Sequence, residues 1–218
     1  MTWWKTSAAL AALALLVLAA GAGVAAATGV GMAEMVRDPA TADERAWYTG
    51  LVSVVGVMAW AGTSAACFAV GCARVRERGA LFLLGALTAV LALDDAFLLH
   101  EDVLPELGLP EPAPMLGYAL AAVAVLALLR RSAPRDVQLP VVVAGALLAA
   151  SIGLDRAVPG LALVVLEDAL KLLGAFQLLA VPALVAARLV PAAVASAAGG
   201  PAAPAPSVQQ VAGRRRAA

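Results

Sequence analysis

Six long apolar runs, separated by short polar or proline-bearing stretches, organise this chain. They fall at about 7–32, 48–72, 79–100, 115–130, 137–153 and 161–190. About 20 apolar residues are needed for a helix to cross a hydrocarbon core of roughly 30 Å, and the first three runs and the sixth reach that length easily. The fourth and fifth are shorter. Pro134 and Pro140 punctuate the stretch between them, which predicts a tight helical hairpin. The expectation is an all-α, polytopic transmembrane helix bundle of six spans, or five if the first is removed.

The charged residues test that count independently. With the N-terminus placed inside and the spans alternating, the inside segments carry Lys5, then Arg74, Arg76 and Arg78, then Arg130, Arg131 and Arg135, and finally Arg188 and Arg214, Arg215 and Arg216. The outside loops carry only Arg37, Arg45 and Arg156. Such a bias across short loops is what the positive-inside rule requires of six spans with both termini cytoplasmic. The acids do the reverse, with Glu34, Asp38, Asp43, Glu44, Glu101, Asp102, Glu106, Glu111 and Asp155 all outside. The expected location is the cytoplasmic (inner) membrane, with the lipid bilayer as the main partner.

Composition agrees. Hydrophobic residues make up 63%, charged residues 14% and the mean hydropathy is +0.92, values that exclude an ordinary soluble domain. The net charge of zero gives no reason to expect a nucleic-acid partner. Lys5 followed by an Ala/Leu run could open a signal peptide, but the run exceeds the usual 7–15 residues of a signal core, so a retained helix is expected. Residues 1–190 then form the bundle. Residues 191–218, rich in Ala and Pro and ending in three arginines, read as a disordered basic tail. Trp3, Trp4, Trp47 and Tyr48 fit interfacial anchors. Gly62-Thr63-Ser64 and the pair Cys67 and Cys72 read as packing material.

Two stretches break the apolar pattern: Leu-Asp-Asp-Ala-Phe-Leu-Leu-His-Glu-Asp at 93–102, and Leu-Glu-Asp-Ala-Leu-Lys at 166–171. A charge near the bilayer centre costs roughly 3 kcal/mol on insertion scales, so such groups are paired and mark functional positions. In the charge-derived topology, Asp94 and Asp95 on span three lie at the same depth as Glu167 and Asp168 on span six, roughly 9–10 Å below the outer rim at a rise of about 1.5 Å per residue. The two helices are therefore expected to share one site, with Lys171 one turn deeper. In a continuous helix Asp94 and Glu101 project on one face, and Asp95 and Asp102 on a neighbouring one. His100, the only histidine, then points away unless the helix end unwinds. Lys171 is spaced to pair with Glu167 or Asp168.

Four carboxylates against one lysine require compensation by bound protons, a metal ion or a cationic substrate. Three readings follow. Asp94, Asp95, Glu167 and Asp168, with His100 and Glu101, could ligate a divalent metal, where carboxylate-rich ligation favours Mg, Mn, Ca or Fe; a metal-dependent enzyme acting on lipid is one form of this. The same groups with Lys171 as counter-charge could carry protons or cations in a small transporter, one that six short spans would suit best as a homo-oligomer. Or an Asp94 or Asp95 pair with Lys171 could simply lock two helices together.

The elements Leu-Asp-Asp-x-Phe-Leu-Leu-His-Glu (93–101) and Leu-Glu-Asp-x-Leu-Lys-x-x-Gly (166–174) resemble those of an uncharacterised group of bacterial multi-pass membrane proteins. The resemblance spans runs three to six and implies a membrane bundle without assigning an activity. The chain departs from intramembrane metallohydrolases such as the alkaline ceramidases and the CAAX proteases, which carry several histidines. It also lacks the paired Asp-rich motifs of membrane prenyltransferases.

Overall fold

The computed structural model describes residues 2–37, 46, 48–157 and 161–188. Residues 1–185 form one compact unit, and residues 186–218 a second one that lies almost wholly outside the described residues, as does the expected basic tail. All regular structure among the described residues is helical. Six helices among the described residues are long and apolar enough to cross a membrane: α1 (Trp3–Thr28), α3 (Leu51–Ala73), α4 (Arg78–Phe97), α6 (Pro112–Ser132), α7 (Arg135–Ala157) and α8 (Leu161–Ala186). Two short helices, α2 (Met32–Val36) and α5 (Leu104–Glu106), lie in the connections.

The boundaries follow from local chemistry. α1 begins earlier than the hydropathy pattern suggested and stops at Gly29, whose left-handed backbone (φ 73°) turns its amide back onto the Ala25 carbonyl. Trp3 and Trp4 consequently lie inside the helix. Trp3 packs on the core, whereas Trp4 is exposed with the Lys5 ammonium 5.4 Å from its ring. Trp47 lies outside the described residues. The turn between α3 and α4 is closed by its own arginines. Arg78 donates to the Gly71 and Cys72 carbonyls at 3.2 and 3.3 Å, satisfying the C-terminus of α3, and Arg74 pairs with the buried Glu77 at 3.2 Å.

The expected hairpin of spans four and five is present, but neither helix is short, because both extend through polar residues at their ends. Only Pro134 lies in the turn; Pro140 is accommodated inside α7. α3 and α4 pack closely where glycines permit it. A Cβ on Gly71 would stand 2.6 Å from the Phe82 ring, and one on Gly85 would stand 3.3 Å from Cys67 Cβ. The larger core cluster joins α3, α4, α6, α7 and α8 through residues such as Trp60, Leu81, Leu129, Val137 and Val181. A smaller one ties α1 and α2 to α3 and α8 around Met35, Val52 and Phe176. α8 is the most buried of the six long helices and α6 the least; the burial of α8 is concentrated from Leu172 onward, and Glu167, Asp168 and Lys171 in its first half are half-buried.

Candidate functional site

The site begins where α4 stops being a helix. Leu98 adopts a left-handed conformation (φ 52°, ψ 43°), which costs a non-glycine residue about 1 kcal/mol. It is held there by burial, with 5% of its surface exposed. Leu99–Val103 then form a single π-helical turn, a rare element often found at functional positions. This reversal swings His100 back over the end of α4. The His100 amide donates to Asp94 Oδ1 at 2.8 Å, and the imidazole Nδ1 lies 2.7 Å from Oδ2 of the same carboxylate. Nε2 lies 3.4 Å from Glu101 Oε1. The continuous-helix geometry, with Asp94 and Glu101 on one face and His100 turned away, therefore does not hold. The helix end unwinds, and the histidine sits between the two acids. Asp102 is exposed.

Asp94 is almost fully buried, and the Tyr118 hydroxyl of α6 approaches the same carboxylate. Burial alone would pull the His100 imidazole's pKa down and Lys171 opposes its charge. The hydrogen bond and charge of Asp94, reinforced by Glu101, outweigh both and raise it above its ordinary value. A protonated His100 then satisfies a carboxylate on each ring nitrogen.

Asp95, one residue and about 100° further round α4, serves a different contact. Its Oδ1 is 2.7 Å from Lys171 Nζ on α8, and its Oδ2 accepts from the Trp60 indole of α3 at 3.0 Å. Three helices thus meet at one carboxylate. Lys171 is thus bonded across the bundle, as in the helix-locking reading of the sequence, which paired it with Asp94 or Asp95. Glu167 and Asp168 are themselves engaged in polar contacts.

Two cavities flank this ion pair. The larger, about 500 Å³, is lined by Asp94, Asp95, His100, Glu101, Glu167 and Lys171 together with Tyr118, Glu111 and Ser151. The smaller, about 260 Å³, takes Asp168 instead. Trp60, Asp95 and Lys171 border both. Of the seven site residues read from sequence, six therefore face one cavity and Asp168 faces its neighbour. Trp60 and Tyr118 were missed. Their signal was an aromatic side chain with a polar tip inside an apolar run, which needs a partner when buried.

The metal reading finds no support in this arrangement. Among the described residues, no group of three or more His, Cys, Asp or Glu side chains converges closely enough to hold a metal ion. Adjacent residues on a helix diverge, so Asp94 and Asp95 point to different partners and do not converge on one ion.

The fold and the buried charges define a multi-pass helical membrane protein with a polar site within the bundle. The chain belongs to the family described as "Domain of unknown function (DUF8692)", which matches residues 9–187. No curated protein and no solved structure matches it.

Proposed function

We propose that this integral membrane protein carries an exchangeable proton on Asp94 and His100, in the outer half of a six-span bundle in the cytoplasmic membrane. The proton would enter past Glu101, and Asp95–Lys171 would be the fixed ion pair that holds α4 to α8. The observation that carries this reading is the 2.7 Å contact between His100 Nδ1 and the buried Asp94 carboxylate at a cavity wall. A carboxylate and an imidazole in contact can share one proton and pass it on. The orientation with both termini inside rests on the arginine-rich turns before α4 and before α7.

Proteoliposomes holding an internal pH dye, with a membrane potential imposed, test the proposal. The wild-type protein should admit protons, whereas His100→Gln and Asp94→Asn should not, though both still insert. Equal flux in all three would reject proton carriage at this pair.

A second reading has its own support. Asp95 satisfied by both Lys171 and Trp60 is the arrangement expected of a structural lock between three helices. It predicts a large loss of stability for Lys171 variants and no proton flux through the wild-type protein.

A further inference from the structure

The larger cavity is divided along its length, and four helices contribute to the division in the same sense. On α4 the lining passes from Leu84 through Leu87 and Leu91 to Asp94. On α7 it passes from Val141 to Ser151, with Ile152 beside it, and on the two helices of opposite direction it passes from Val125 to Tyr118 on α6, with Met115 one turn beyond, and from Leu178 to Glu167 on α8. At about 1.5 Å per residue each strip is roughly 10–16 Å long. One end is aliphatic, and the other gathers carboxylates, a phenol, a hydroxyl and Lys171.

We propose that this cavity binds a single-chain amphiphile, its hydrocarbon tail lying toward Leu84 and Val125 and its hydrogen-bond-donating head, an amine or alcohol, at Asp94 and Tyr118. Three physical points lead there. A volume of about 500 Å³ falls in the range of pockets that enclose small organic ligands, roughly 300–1,000 Å³. The aliphatic end adds little selectivity by itself, because lipid tails are as apolar as its leucines, so recognition falls to the polar end. That end is rich in acceptors, and Asp94, Asp95, Glu101, Glu111 and Glu167 outnumber its two cationic groups, Lys171 and His100, so an anionic head would meet net like charge. Small residues on two walls make the room: a Cβ on Gly145 of α7 would meet nothing within 4 Å, and Ala122 of α6 also lines the cavity. The inference does not depend on proton exchange, since an alcohol could occupy the cavity whether or not His100 titrates.

The test is binding of radiolabelled dodecylamine, dodecanol and dodecanoate to the full chain in phosphatidylcholine nanodiscs. The amine and the alcohol should bind saturably, one per chain, and the carboxylate at least about tenfold more weakly. Gly145→Phe fills the cavity from α7 and Ala122→Phe fills it from α6. Either should abolish saturable binding, and one that keeps the wild-type unfolding temperature suffices to attribute the loss to filling. Uptake that never saturates, or that persists in both variants, overturns the proposal. So does full displacement of dodecylamine by equimolar ethylamine, which would mark a site for small cations with no use for the tail.

Discussion

Replacing Lys171 by methionine removes the cation 2.7 Å from Asp95 Oδ1 while keeping the side chain's length and apolar stem. Losing one partner of a fully buried pair costs about 3–5 kcal/mol, because the remaining charge is stranded. Here the side chains of Lys171 and Asp95 are 29% and 13% exposed, so some water screens the loss. The Trp60 indole also stays in place, 3.0 Å from the other oxygen. Together these reduce the expected cost to about 2–3 kcal/mol. The assay is a double-mutant cycle by reversible unfolding in mixed micelles, using Lys171→Met, Asp95→Asn and the combination. The double variant should recover most of the loss, leaving a coupling energy of about 2 kcal/mol. The reasoning is refuted if Lys171→Met costs less than about 0.5 kcal/mol and the two changes add without coupling.

Because His100 is the only histidine, isotope labelling of histidine reports this site alone. Its NMR titration midpoint should lie above the free-imidazole value and fall in Asp94→Asn, which leaves burial to dominate. With the folded pKa raised, His100 adds stability that is fully present below the unfolded pKa of about 6.5 and is lost as pH rises through the folded value. His100→Gln should flatten that part of the stability–pH profile, and an unchanged profile would count against the pair. At the α3–α4 contact, Gly71→Val should cost about 1–3 kcal/mol in the same unfolding assay, since its Cβ would overlap the Phe82 ring. Phe82→Ala in the same chain should reduce that penalty.

The spans were legible because hydropathy and the arginine pattern are long-range regularities that survive errors at any one residue. Their ends were not, because these depend on single features: Gly29 in the left-handed region, arginine contacts to the last carbonyls of α3, and a proline tolerated inside α7. The meeting of α4 and α8 followed from depth matching alone, and the Asp95–Lys171 contact is that meeting. Which of the two aspartates would take Lys171, and that the other would take His100, was not legible. Spacing rules assume an unbroken helix, and nothing in Phe-Leu-Leu-His announces that a leucine will take φ 52° and hand the chain to a π-turn. A leucine is among the residues least suited to that conformation, so only the surrounding packing could specify it.

That turn makes the two acids unequal in time as well as in place. Asp94 finds His100 six residues along the same strand of chain, so its bonds can close as soon as the end of α4 has formed. Asp95 must wait for Lys171, which is synthesised 76 residues later on the sixth long helix. Since chains are made from the N-terminus, the α3–α4 hairpin enters the bilayer with one acid already quenched. The other is held only by Trp60, an interim burden of up to roughly 3 kcal/mol. Arrival of α8 removes it. The sixth long helix thereby acts as the bolt of the assembly, supplying the cation that Asp95 lacks until then.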